Sequence, residues 1–316
     1  MKKFIKKILF LILILCVCLL SLVSLDYFIV GPQYQYSYQA SLIDKVKRLK
    51  KINEPKIILV GNSNLSFGIN SELIEKSLEM PVVNLGLHAG LGNAYHEEIA
   101  KLNINKGDIV VVCHSTFSDD DTITDASLAW ITYDWNQSIA PIIRKKDYLT
   151  MLKAYPTYFK SSLLLWLGKS GNKDQGGCYS RNAFNKYGDV VYKTDDDQMN
   201  VEEYFKNEKI SLPKINSTCI NRLNDLNSYC KKRGASMVVA GYPIAYGKYS
   251  EFTKLDFIKF QNKLSKRLNC NIISNYTDYF YPYKYFYNTS LHLTKKGTNI
   301  RTKQLINDLE KWINNK

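Results

Sequence analysis

Apolar residues in this chain fall in short unbroken runs, each closed by turn residues and separated from the next by a stretch of helical period. Five such runs, Lys56 to Val60, Val82 to Leu85, Asp108 to Cys113, Ser236 to Ala240 and Asn271 to Ser274, read as strands. They are too uniformly apolar to have a solvent face, which predicts strands buried on both sides and paired in parallel. Between them, Ile69, Leu73, Ile74 and Leu78 share one helix face behind a cap at Asn70, and residues 215–233 and 252–268 have similar spacing. The last stretch, Lys295 to Asn315, puts Ile300, Leu305, Ile306, Leu309, Trp312 and Ile313 on one stripe. Strands alternating with helices predict a three-layer α/β/α sandwich on a five-stranded, mainly parallel sheet, with ligands at the carboxyl ends of the strands.

Two segments break this rhythm. Lys2, Lys3, Lys6 and Lys7 precede an uncharged apolar stretch from Ile8 to Leu25, roughly 27 Å long as a helix and close to the thickness of a bilayer. Lysines in front and Asp26 behind predict a single-pass anchor over residues 1–30, with the N-terminus cytoplasmic and the main domain outside. No small-x-small cleavage site follows, so a cleaved signal is the weaker reading. Residues 31–54 read as a juxtamembrane linker and 55–316 as the folded domain. Within that domain, residues 115–210 form an insertion after the third strand. It holds Trp130, Trp135 and Trp166 and a helical stretch from Asp147 to Leu167, and is the candidate lid and substrate-binding part.

Composition narrows the classes. With 45% hydrophobic and 23% charged residues the chain is an ordinary folded protein. Its formal charge of +14, or +10 without the four leading lysines, suits a domain working beside anionic membrane or wall polymer. The basic runs are short, are offset by Asp119 to Asp121 and Asp195 to Asp197, and form no nucleic-acid-binding motif. The five cysteines outside the anchor are an odd number and make no disulfide framework. Cys219 and Cys230 lie on one helix about 16 Å apart, beyond bridging distance; Cys230 with Cys270 is the pairing left open.

The candidate chemistry sits at strand ends. Gly61-Asn62-Ser63-Asn64 carries the first strand into a helix, and the Ser63 N–H is among the unsatisfied donors of that helix start, suited to an oxyanion. After the second strand, Asn84-Leu85-Gly86 brings a glycine to the same edge, where the Gly86 N–H is expected as a second oxyanion donor. His292, after the fifth strand and before the last helix, is the base that would return beside Ser63. Alone, Ser63 reads as a cap and His292 as a structural histidine; their convergence with Gly86 is what suggests a nucleophile and its base.

These blocks resemble the SGNH, or GDSL-type, hydrolase superfamily, in particular its membrane-anchored bacterial branch of surface-polysaccharide acyltransferases and esterases. The resemblance spans residues 55–312: Gly61-Asn62-Ser63-Asn64 with Gly68-Ile69, Asn84-Leu85-Gly86, the string Phe184 to Asp189, and His292-Leu293 with Gly297 and Arg301-Thr302. It implies the flavodoxin-like SGNH fold, Ser63 as nucleophile, His292 as base, and the N–H groups of Ser63 and Gly86 as oxyanion hole. It also implies a cell-surface glycan or wall polymer as substrate and an integral-membrane partner delivering acyl groups. The family's aspartate after the first glycine is Asn62 here, and Cys113-His114-Ser115 replaces its third block. Asn288 and Thr289 occupy the places of the acid that orients the histidine, and Asn288 can hold the imidazole through its side-chain carbonyl. Asn62, His114 and Ser115 are candidate substrate contacts; for His114 a buried strand-end role is the alternative. A non-catalytic glycan-binding or assembly protein on the same fold is the rival reading.

Other motifs fall away on spacing. Gly168-Lys169-Ser170 lacks the earlier glycine of a phosphate loop, which is Leu163, and His96-Glu97 meets Ala100 where a second zinc-binding histidine belongs. No metal and no cofactor is called for. The tyrosines from Tyr276 to Tyr287 either present rings to sugar or pack as a loop.

Overall fold

The computed structural model describes residues 1–119, 121–169, 176–192, 212–246 and 251–316. Five strands form one sheet: β1 (Ile57–Val60), β2 (Val82–Asn84), β3 (Ile109–Val112), β4 (Ser236–Val239) and, past a further strand β5 (Ile244–Tyr246), β6 (Asn271–Ile272). Every pairing in it is parallel, in the order β2-β1-β3-β4-β6, with Ile57 beside both Val82 and Ile109 and Val112 beside Val239. This is the arrangement of a doubly wound sheet whose strand order reverses between β1 and β3, the place where such sheets open a crevice for ligands.

The layers follow from side-chain alternation. Ile57, Leu59, Val82, Ile109, Val111 and Val238 face one layer, shared with Leu305 and Leu309 of the last helix. Ile58, Val60, Val83, Val110, Val112 and Val239 face the other, shared with Leu223, Leu226 and Phe257. Both faces are therefore covered, which is why these strands carry almost no polar position. At the opposite sheet edge from the site, Lys56 and Asp108 form a fully buried ion pair at 2.8 Å, and Asp108 also accepts the Lys56 and Asn105 N–H groups.

Residues 31–54, expected as a linker, fold into the domain. Helix α2 (Ser41–Lys51), the second after α1 (Lys2–Leu25), buries Leu42, Val46 and Leu49 in the core. Its Lys45 ammonium is fully enclosed and donates to the carbonyls of Asn84 at 3.0 Å and Gly188 at 2.6 Å. Sequence spacing gave no warning, because Lys45 lies among Lys47, Lys50 and Lys51 and reads as one more solvent charge.

Helix α1, continued by the wider turns of Asp26–Val30, is long and apolar enough to cross a membrane and has no buried residue between Lys2 and Leu25. Asp26 and Val30 are buried instead against the insertion, where Tyr155 donates its hydroxyl to Asp26 Oδ2 at 2.9 Å. The described part of the insertion contains α6 (Ala126–Tyr133) and α7 (Tyr148–Trp166), which follow α3 (Ser63–Ser66), α4 (Ser71–Leu78) and α5 (Asn93–Ala100). Asp195 to Asp197 and most of the loop from Gly168 to Gly177 lie outside the described residues. Past the insertion come α8 (Ser217–Lys232), α9 (Glu251–Ser265) and α10 (Lys295–Asn314).

The tyrosine-rich stretch proves to be largely packing. Tyr276 and Tyr279 are fully buried, Tyr281 and Tyr287 nearly so, and Phe280–Pro282 forms strand β7, parallel to β5 in a second small sheet. All seven cysteines are free thiols, Cys230 and Cys270 included.

Candidate active site

Asn62, two residues past β1, caps α3, its Oδ1 accepting the Asn64 N–H at 2.9 Å. That cap starts the helix at Ser63, so the half-buried serine occupies its first position with its N–H free of intrahelical bonding. The turn is clamped from below by Arg301 of α10. This fully buried guanidinium donates to Asn64 O at 2.5 Å and to Asn64 Oδ1 at 2.8 Å. Burial lowers its proton affinity, and carbonyl oxygens, with no carboxylate among its hydrogen-bond acceptors, receive its N–H groups.

His292 reaches Ser63 across 229 positions of sequence: its Nε2 lies 2.8 Å from Ser63 Oγ. The other ring nitrogen, Nδ1, lies 2.8 Å from Asn288 Oδ1. An amide oxygen only accepts, so Nδ1 carries the proton and Nε2 presents a lone pair to the serine hydroxyl. Asn288 is itself held in that orientation by donating from Nδ2 to the Tyr179 hydroxyl at 2.8 Å. Thr289 Oγ1 tightens the turn by accepting the His292 N–H at 3.1 Å.

Phe67 links the two halves. Its ring stacks on the imidazole with centroids 4.1 Å apart and planes 13° from parallel, while its carbonyl accepts the Leu293 N–H at 3.0 Å. The Ser63 turn and the histidine loop are thus fastened to each other by both backbone and side chain. The stacking also dries the imidazole: burial, with the nearby His88 charge adding to it, pushes the His292 pKa down to about 3.

The second oxyanion donor expected at Gly86 is placed at the right edge but is occupied. The Gly86 N–H donates to Asn84 Oδ1 at 2.9 Å, and its carbonyl accepts the Ser66 hydroxyl at 2.6 Å. Glycine is required there by close approach, since a Cβ would lie 2.7 Å from the Ser66 nitrogen. Asn62 lies at the same edge. Its Nδ2 extends over the switch point between β1 and β3 to Ser115 Oγ, 2.8 Å away, so a side-chain amide and a hydroxyl sit beside the serine.

His114, expected as a contact with substrate or as a buried strand-end group, is fully buried. Its Nε2 meets Glu97 Oε1 at 2.9 Å, Glu97 takes Arg222 Nε at 2.7 Å, and Arg222 reaches Asp119 at 2.9 Å. This series ties the end of β3 to α5 and α8. Neighbouring Ser115 is the member of that tripeptide which reaches the site.

The string from Phe184 to Asp189 supports the site from behind. Buried Asp189 caps α4 by accepting the Ser71 N–H at 2.8 Å and holds Asn84 Nδ2 at 2.8 Å, with the Lys45 ammonium close by. Burial raises the Asp189 pKa and lowers that of Lys45, each opposed by the other's charge. A cavity of about 470 Å³ opens on the far side of Phe67 and Leu293, lined also by Asn70, Tyr192 and Lys295. Ser63 and His292 do not line it.

Two residues of the site escape spacing arguments, and a third does not. Tyr179 and Phe67 have no sequence signal, because their roles depend on a contact over 109 positions and on a ring stack. His88 did leave a signal two residues past Gly86. A bridge of Asn62 with Leu87 sets His88 beside Ser63 at the strand ends. The ring is exposed, and its Nδ1 accepts the Gly90 N–H at 3.0 Å, which leaves the proton of the neutral ring on Nε2. Comparison of the chain with protein-family models, with curated proteins and with solved structures returned no match.

Proposed function

We propose that this chain is a membrane-anchored, extracytoplasmic serine O-acyltransferase or esterase of SGNH type, acting on acyl groups, acetyl first, of a cell-surface polysaccharide or wall polymer. The observation that carries the reading is the connected series Asn288–His292–Ser63, with 2.8 Å at both of its contacts. A lone-pair nitrogen against a hydroxyl at a strand-to-helix turn is the arrangement that activates serine.

In the first half-reaction Ser63 Oγ attacks the acyl carbonyl carbon and its proton passes to His292 Nε2. The tetrahedral oxyanion is met by the Ser63 N–H, with the Asn62 amide as the nearest second donor. The ester bond to the leaving alcohol breaks as His292 returns the proton to that oxygen, leaving acyl-Ser63. In the second half-reaction water or a glycan hydroxyl loses its proton to His292 as it attacks the acyl carbon, and the acyl–Oγ bond breaks as His292 returns that proton to Ser63 Oγ. Water makes the chain an esterase, and a glycan hydroxyl makes it a transferase. A transferase in this position needs acyl groups brought through the membrane by an integral-membrane partner. Four lysines before the span and burial of Asp26 against the insertion support an uncleaved anchor with the domain outside.

Acetate release from an aryl acetate by the full-length chain tests the assignment. Ser63→Ala is expected to abolish it, and equal rates in both proteins would refute the nucleophile.

A second reading, a glycan-binding or assembly protein on a hydrolase scaffold, is favoured by specific features. Asn288 stands where a carboxylate would stabilise an imidazolium, and the Gly86 N–H is already bonded. Under that reading Ser63→Ala keeps full glycan binding and no acyl chemistry is found in either protein.

A further inference from the structure

Leu19 and Val23 of α1 do not face open surroundings alone. With Trp130, Trp135, Met151 and Tyr155 of the insertion they line a groove of about 400 Å³ whose walls are almost wholly apolar. Leu19 lies six residues before the end of α1, about 9 Å along its axis. Groups packed sideways against it therefore sit below the level at which the span ends. The insertion cannot drift from that depth, because Asp26 is enclosed with the Tyr155 hydroxyl at 2.9 Å, and Val30 packs with Tyr155, Tyr158 and Phe159.

The outer side of α7 continues the same surface. Tyr148, Leu149 and Leu152 are 58%, 61% and 48% exposed, an apolar edge that a water-facing helix of 19 residues has no reason to carry. Lys153 and Lys160, seven positions apart, are exposed along the same helix. An apolar strip with lysines beside it is the pattern of a helix lying at a lipid–water boundary, where long basic stems keep their charge among headgroup phosphates.

Resting on the membrane-anchor reading above, we propose that this groove seats the acyl chain of a bilayer lipid and that α7 lies in the membrane interface. Two of the groove's lining residues, Leu19 and Val23, belong to the span itself, so its opening is continuous with the surface that α1 turns to lipid. The insertion thereby sets the height and tilt of the domain, and holds Ser63 at a fixed distance from the membrane.

The test uses the full-length chain in nanodiscs of phosphatidylcholine and phosphatidylglycerol, a fraction of whose acyl chains carry a diazirine. After photolysis, adducts are expected on peptides covering residues 130–155 as well as on α1. Leu152→Glu is expected to cut adducts on 130–155 about tenfold while leaving those on α1 unchanged. Dibrominated acyl chains should quench a chain retaining only Trp135 and leave one retaining only Trp312 unquenched. Adducts confined to α1, in a protein that resists carbonate extraction, would overturn the groove and leave the anchor standing. Joining of two copies through residues 130–155 by a bifunctional amine cross-linker, with no lipid adducts there, would assign the groove to a second chain and also overturn it. Release of the protein by carbonate would refute the anchor and the groove together.

Discussion

Asn288 Oδ1 lies 2.8 Å from His292 Nδ1, and the same amide donates to the Tyr179 hydroxyl at 2.8 Å. The tautomer of His292 is thus set by an uncharged group that a third residue keeps from turning over. An amide orients the ring but gives an imidazolium no countercharge. Asn288→Asp is therefore expected to raise kcat on an aryl ester by about tenfold or more, and Asn288→Ala to lower it by a similar factor. Tyr179→Phe should fall between, since it frees the amide to rotate without removing it. Steady-state kinetics of the three variants check the order.

Burial and the His88 charge push the His292 pKa down to about 3. The base stays unprotonated well below the ordinary histidine value, so the acid limb of kcat/KM is expected below pH 6.5. An acid limb at 6.5 or above would show that His292 titrates as if exposed.

The same shift has a consequence for folding. His96 is buried with neither ring nitrogen bonded, and its pKa is also pushed down to about 3, first by burial and then by His114. Both rings are neutral when folded, yet protonate near 6.5 when the chain unfolds. The unfolded state then binds about two more protons, so stability from these groups is complete above pH 6.5, falls as pH drops, and levels off below about 3. Well below pH 6.5 the slope from these two groups approaches roughly 3 kcal/mol per pH unit. Denaturant melts between pH 7 and 4 follow its onset and its full value.

Arg301 gives both oxygens of Asn64 a donor. Arg301→Met leaves them buried and unpaired, at about 1–3 kcal/mol each, and loosens the turn that carries Ser63. A lowered melting midpoint together with a loss of kcat in the surviving folded fraction is expected. Loss of stability with unchanged kcat would mean that the clamp holds the fold and not the serine.

Gly86→Ala tests whether close approach or hydrogen bonding makes glycine necessary. The new methyl would meet the Ser66 nitrogen at 2.7 Å and Leu65 Cβ at 2.8 Å. Overpacking of this kind costs about 1–3 kcal/mol. Because the Gly86 N–H is held by Asn84, the loss is expected in thermal stability before it appears in kcat.

What could be read before the fold was seen follows a physical line. Ile57 to Val60 and Ile109 to Val112 were legible because strands buried on both faces need unbroken apolar runs, and those runs end where Ser63 and Ser115 begin. The pairing of Ser63 with His292 was legible through the blocks around them. The folding of residues 31–54 was not, because Lys45 packs as a buried cation inside a basic stretch. Nor was the use of the Gly86 N–H, which depends on how the Asn84 side chain turns back. His114 sat in a block whose neighbour Ser115 reaches the site, and only Glu97, brought alongside by α5, decides between them. Phe280 to Pro282 read as part of a tyrosine-rich loop because its strand partner, Ile244 to Tyr246, is short and far away in sequence.

The most direct measurement is covalent capture. The full-length protein is treated with a fluorophosphonate, and the intact mass and modified peptide are determined for wild type, Ser63→Ala and His292→Ala. A single adduct on Ser63, absent from Ser63→Ala and strongly reduced in His292→Ala, is the expected result. A wild-type protein that stays unlabelled, or is labelled equally well without His292, would contradict a serine activated by that histidine.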